Sequence, residues 1–514
     1  MPSTASTTSS LKTLAGSALA VFAVAGAAGL GGCASTGERS QNVGLTGGLD
    51  PSTIDGRAIV VLCDADLSPT AMVDGRLSGG AGPKGIDQLT SIGLPIADAP
   101  DEKSSKWMTA VGQVPVSNSA HGPAAAVAAS PVGGLVYVVE AFKPAVAGQS
   151  SVEQLAKGTL MTCVDVSAPQ SPRVVAALDV GTAPVAVDVS ADGAFIAIAT
   201  QTPGEQIVVV RAADFTAGGS TSSGAERMAW PLMGVGGTSV GRTGVGRTGG
   251  SGSGATASEG SPAVLTYKPS SICWHPSGRY LAVTIPETNQ IAFYEFDPEG
   301  AGPNLPGLAA WGAPVTVGKF PFSGRFSKDG KHFIFTELQW GADVEGFMTG
   351  APEGRVGVIR LSAVATATSS EGAAEVPAVM HEVLKSVQVG ISPEAMALSP
   401  TGNMIVTGNL KRAFLPAGDE RLTPGGSLSL VSFDPATGEL RVLNELPING
   451  MPKGVAFDAT GKHVIVSEFR SFDPQNTEGE LGFYRLGGFG ATELQFCGFH
   501  VAVGNGPHSI VVVK

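Results

Sequence analysis

The residues in this chain best suited to chemistry follow a recurring proline. Directly after Pro393, Pro452 and Pro507 stand Glu394, Lys453 and His508: a carboxylate, an ammonium group and an imidazole. Acting together, such groups could supply a general base, its orienting partner and a donor for developing negative charge. A second column, about sixteen residues after the proline, carries Glu140, Glu337 and Glu468. Carboxylates gathered at one opening are also oxygen ligands for Ca²⁺ or Mg²⁺, and no other cofactor is evident. His121 precedes its own proline at the same level and is a minor candidate.

The prolines mark a repeat that must position these groups. Pro123, Pro184, Pro269, Pro321, Pro393, Pro452 and Pro507 each introduce a small or apolar run; in all but the last, a tight turn and a β-rich run follow. Spacings from 52 to 85 residues mean one supersecondary unit with insertions held in its loops. Turns such as SADG, HPSG, SKDG, SPTG and DATG lie between two short alternating runs, where glycine supplies the positive φ of a hairpin. Two further runs complete a unit of four strands, the blade of a β-propeller. The last proline leads only into HSIVVVK, while GRAIVVLCDAD (56–66) and WMTAVGQVPVSN (107–118) lack an inner strand. The expected fold is therefore all-β: a seven-bladed β-propeller with one blade closed by strands from both termini, spanning 56–514. Residues 217–262, rich in Gly and Ser, are expected to form a disordered insertion.

The a–b turns are all minimal, and the long insertions follow the second strand of each unit. They carry Phe142, Trp340, Phe347, Phe414 and Phe472 to one rim. Loops on a rigid scaffold are where function concentrates, so Trp340, Phe414 and Phe472, with Glu140, Glu337 and Glu468, are the expected ligand contacts. His275, His332 and His463 belong to the plain opposite face, and His381 and His500 to outer strands as surface or packing residues.

The chain has 514 residues, a formal net charge of −12 and no cluster of Lys and Arg, which argues against a nucleic-acid partner. Lys12 precedes an apolar run that ends Leu30-Gly31-Gly32-Cys33. A basic start followed by an apolar segment is a secretory address. Its end resembles the bacterial lipobox, which implies cleavage before Cys33 and acylation of that residue. Residues 1–32 are then a lipoprotein signal peptide and 33–55 a flexible tether. The chain is expected in the cell envelope, lipid-anchored and most consistent with the outer membrane, since Ala34 is not acidic. Multiple acyl chains anchor stably where one does not. Cys63, Cys163, Cys273 and Cys497 are scattered singly, without C-x-x-C spacing, and are expected as buried free thiols. The protein is expected to be a monomer.

The stretch GSLSLVSFDPATGELRVLNELPINGMPKGVAFDATGKHVIVSE resembles the seven-bladed lactonase propellers, which include bacterial 6-phosphogluconolactonases and border on repeat proteins with a Tyr-Val-Thr-Asn signature. The resemblance implies the fold and, as one activity, lactone hydrolysis. Those enzymes carry Arg and His after the Gly-Pro of their active blade; here Pro507 is followed by His508-Ser509 and no arginine occupies the column. Two readings stand: an envelope lipoprotein binding a protein, glycan or small ligand on its loop-rich face, or a periplasmic hydrolase of a sugar lactone using His508, Glu394 and Lys453.

Overall fold

The computed structural model describes residues 53–78, 86–96, 111–122, 125–217, 227–233, 267–300, 307–362, 380–472, 479–488 and 490–514. The expected signal peptide, Cys33 and most of the expected tether lie outside these residues. The described part of 48–514 folds as seven antiparallel sheets of four or five strands. Blade 1 runs Val127–Ala129, Leu135–Val139, Leu160–Asp165 and Arg173–Asp179 from inside outward. Blades 2 to 6 repeat that order, with inner strands Ala186–Val189, Ser271–Trp274, Pro321–Phe326, Pro393–Leu398 and Gly450–Phe457. Each inner strand contacts the inner strand of the next blade, and Pro507–Val513 joins blade 6 to blade 1, so the ring is closed.

Closure uses both ends of the chain. Pro507–Val513 pairs antiparallel with Ala58–Cys63, with Ala58 opposite Val513, and Gln88–Gly93 and Val111–Pro115 complete blade 7. The inner edge of Ala58–Cys63, which would otherwise expose unpaired N–H and C=O groups, is thereby paired. The turns form as their glycines require: Gly193, Gly278, Gly330, Gly402 and Gly461 all have φ between +70° and +81°. The cores lie between blades, where β-branched and aromatic side chains of facing sheets interdigitate, as with Phe293 against Phe333 and Val406 with Val466. Cys63, Cys163, Cys273 and Cys497 are buried and free. Among the described residues no helix is long and apolar enough to cross a membrane.

Part of the expected insertion is a strand. Arg227–Trp230 is the outer strand of blade 2, pairing with Ile207–Arg211. Met228 and Trp230 alternate inward and are buried, and Arg227 is ion-paired with Glu205. Four residues of alternating apolarity were enough, although glycine-rich sequence surrounds them. The remainder, 218–226 and 234–262, lies outside the described residues.

Candidate functional site

A bulge places the residue after the proline. Between Pro393 and Ala395, Pro452 and Gly454, and Pro507 and Ile510, the inner strand carries one more residue than its partner. A bulge unpairs one residue and re-aims its side chain. Proline suits the strand's start because it has no N–H to donate. In blades 5 and 6 the re-aimed side chains are Glu394 and Lys453, and they meet: Nζ of Lys453 lies 2.6 Å from Oε2 of Glu394. Both are almost fully buried, at 4% and 1% side-chain exposure. Burial pushes the Glu394 carboxyl up, and the adjacent ammonium pulls it back.

This pair is part of the lining of a cavity of about 270 Å³ at the mouth of the ring. Its walls are Phe320, Phe322, Trp340, Met72 and Met348, with His121, Lys268, Ser270 and Glu287 contributing polar groups. Met72 comes from the short helix Ala71–Asp74 in the first loop of blade 7, and its Sδ lies 3.8 Å from Lys453 Nζ. Trp340 is fixed by its indole N–H, which donates to Ser392 Oγ at 2.9 Å. Ser392 and Phe320 hold left-handed backbones, each with φ of +55°, directly before their prolines. Strain of this kind at non-glycine residues clusters at functional clefts.

The structure brings together Glu394, Lys453 and Trp340 from the expected set and sets the others apart. His508 is buried, but its ring is committed elsewhere. Asn118 donates its amide N–H groups to the carbonyls of Cys63 and Val116, which leaves Oδ1 to accept from His508 Nε2 at 2.8 Å. Ser509 Oγ lies 3.1 Å from the other ring nitrogen. Burial, with Lys453 second, pushes the imidazole down to about 3, so it is neutral and a poor proton acceptor. It locks the closing strand to the segment after blade 7; the carboxylate that was to orient it binds Lys453 instead.

The glutamate column also points elsewhere. Glu140 accepts from the Thr159 and Leu160 amides, capping a strand of its own blade. Glu337 accepts from the Gly318 amide and Gln339, and lines a separate cavity of about 370 Å³ with Lys319, Arg355 and Ser386. Glu468 accepts from the Tyr484 hydroxyl at 3.1 Å. None of the three lines the mouth cavity, because each carboxylate is engaged by groups of its own blade. Phe414 is fully buried in the apolar cluster beneath the loops, and Phe472 packs against that cluster under the Arg470 guanidinium. Phe414 and Phe472 are expected as ligand contacts, but these loops have a core of their own and take up both rings.

His121 is the imidazole that does line the cavity. It opens onto the concave mouth yet is surrounded by protein and three lysines. Desolvation, then Lys453, Lys157 and Lys268, push it down to about 4. Its position before Pro123 was visible in the sequence; Met72 and Met348 had no signal beyond apolarity within polar loops. The carboxylates among the cavity's lining residues are Glu394, held by Lys453, and Glu287. Among the described residues, the His and carboxylate group close enough to share an ion is instead Glu468, Glu480 and His500 in blade 6.

No family model and no curated protein matches this chain. Solved structures do. A periplasmic gluconolactonase of Pseudomonas aeruginosa is 16% identical, with 89% of this chain and 99% of that one aligned and a TM-score of 0.50. A candidate 6-phosphogluconolactonase of Bacteroides fragilis is 14% identical over 90% and 100% of the two chains, with a TM-score of 0.51. A second, of Bacteroides uniformis, is 13% identical over 88% and 99%, with a TM-score of 0.50. At these identities the likeness is one of fold: the chain is a seven-bladed β-propeller similar in architecture to lactonase-like propellers.

Proposed function

We propose that this chain is an envelope-anchored lipoprotein whose propeller binds a small glycan or sugar acid in the mouth cavity. The observation that carries this reading is the buried Lys453–Glu394 pair beneath a wall of Trp340, Phe320 and Phe322. Hydroxyl and carboxylate groups suit the pair and Ser270, while the C–H face of a sugar suits the aromatic wall. A volume of about 270 Å³ takes a ligand of monosaccharide size rather than a protein loop. The lipobox-like Leu30-Gly31-Gly32-Cys33 supports an envelope location, and the periplasmic description of one structural neighbour is consistent with it. The test is calorimetric titration of the full-length chain, purified in detergent, with D-gluconate and with D-glucose. One saturable site is expected for at least one of them, weakened at least tenfold in Trp340→Ala; heats that do not saturate for either would overturn the reading.

A second reading, a periplasmic lactonase-like hydrolase, is favoured by one observation: a neutral imidazole, His121, lines the same cavity as Lys453. A neutral imidazole could take a proton from water attacking a lactone carbonyl, with Lys453 facing the oxyanion. An imidazole held near 4 is, however, far below the operating pH at which a general base works best. His508 is lower still, and both its ring nitrogens are engaged. Saturable hydrolysis of D-glucono-1,5-lactone, lost in His121→Ala or His508→Ala, would establish this second reading.

A further inference from the structure

Blade 6 carries a cluster away from the mouth that the binding reading does not use. Glu468 lies in the second strand, His463–Ser471, and Glu480 sits directly opposite it on the third, Gly479–Gly487. His500, on the outer strand Glu493–Gly504, pairs with Gly482 and shares the sheet face of Ala502, the residue opposite Glu480. Side chains two residues apart on a strand lie on one face, so all three converge. Their ligand atoms lie within 4.8 Å of one another, and His500 Nε2 is 3.6 Å from Glu468 Oε1.

The surroundings make room for this convergence. A Cβ at Gly482 or at Gly450 would collide with the Glu468 carboxylate, so glycine at both positions lets that side chain lie across the sheet. The Tyr484 hydroxyl donates to Glu468 Oε1, fixing one oxygen as an outer-shell partner would. The Phe496 ring lies 4.7 Å from the His500 ring, centroid to centroid, and flanks its outer side. Glu468 and Glu480 face one another across neighbouring strands and are buried, at 1% and 8% exposure, so an ion between them meets an oxygen of each.

We infer that Glu468, Glu480 and His500 form a binding site for a divalent transition-metal ion, Zn²⁺ by ligand chemistry, clasping three strands of blade 6. An imidazole nitrogen with two carboxylate oxygens suits Zn²⁺ and its neighbours rather than Ca²⁺, Mg²⁺ or a soft ion. Metal–ligand bonds of about 2.0–2.2 Å are shorter than the present spacing of the three ligand atoms, so the side chains close slightly on an ion. Three protein ligands leave a position for water.

The test uses the untagged full-length chain, purified in detergent and stripped with EDTA. Titration with Co²⁺ should develop visible d–d absorption that saturates at one equivalent and is displaced by Zn²⁺. Zn²⁺ should raise the melting temperature in proportion to the logarithm of its free concentration above saturation. His500→Ala, at an exposed position, and the isosteric Glu480→Gln should each lose the spectrum and the Zn²⁺-dependent shift while melting cooperatively without metal. No d–d absorption at millimolar Co²⁺, or a spectrum unchanged in both variants, would overturn the assignment.

Discussion

At the scale of single residues, the site is governed by whether a buried charge has its partner. Glu394 and Lys453 satisfy one another at 2.6 Å, and each is almost wholly removed from water. Breaking such a pair strands a charge and costs about 3–5 kcal/mol, whereas removing both members together costs far less. Glu394→Gln and Lys453→Met should therefore each lower stability by that order in urea titrations. The double variant should recover most of the loss while still failing to bind ligand. A second prediction concerns pH. His508 is held near 3 in the fold, so between there and the ordinary histidine value near 6.5 the unfolded chain binds more protons and stability falls as pH drops. Asp87 and Asp64 have the opposite sign: burial holds both carboxyls well above the ordinary range, with Asp66 adding to the rise at Asp64, and Asp64 and Asp66 to that at Asp87. Their contribution is present in acid and is lost as pH rises above about 4. Melting temperature should thus peak at mildly acidic pH. Asp87→Asn should flatten the alkaline arm and His508→Asn the acid arm; arms unchanged in both variants would show that these groups are not responsible.

At the scale of elements, the closing strand matters most. Removing residues 508–514 strips Ala58–Cys63 of its inner partner and releases the Asn118 and Ala126 contacts made by His508 and Ser509. Each buried group left unpaired costs about 1–3 kcal/mol, and several together exceed the ~5–15 kcal/mol of a typical fold. The truncated chain should lose its cooperative melt by circular dichroism; a wild-type melting curve would contradict closure. Deleting 234–262 should shift the melting temperature by no more than a degree or two, whereas extending the deletion through Arg227–Trp230 should destabilise blade 2 measurably. These elements also show what was readable beforehand. The proline column and turn glycines gave the blades because each has a local conformational cause, positive φ or a missing donor. The bulges were hidden, because one extra residue in a strand appears only when its partner's register is known. Without the bulges, Glu394, Lys453 and His508 look like one trio; with them, the first two meet and the third faces Asn118. The burial of Phe414 is hidden for a related reason, since loops that pack on one another form a core that periodicity does not reveal.

At the scale of the whole molecule, the ring presents one plain face of short turns and one face that carries the long loops, the cavity and the buried ion pair. On the proposed envelope reading, residues 1–33 decide which compartment that face meets. If Cys33 is acylated, the chain should partition into detergent with the envelope and incorporate labelled palmitate, and Cys33→Ala should abolish the label. Equal labelling of the variant would remove the anchor from the account. The central claim, that the mouth cavity is a ligand site anchored on the Lys453–Glu394 pair and walled by Trp340, is tested most directly by a crystal structure of the chain grown with saturating D-gluconate. The account predicts ordered ligand density in that cavity, with a hydroxyl or carboxylate oxygen within hydrogen-bonding distance of Lys453 or Glu394 and the carbon face against Trp340. Density confined to another face, or an unchanged cavity holding only water at saturation, would contradict it.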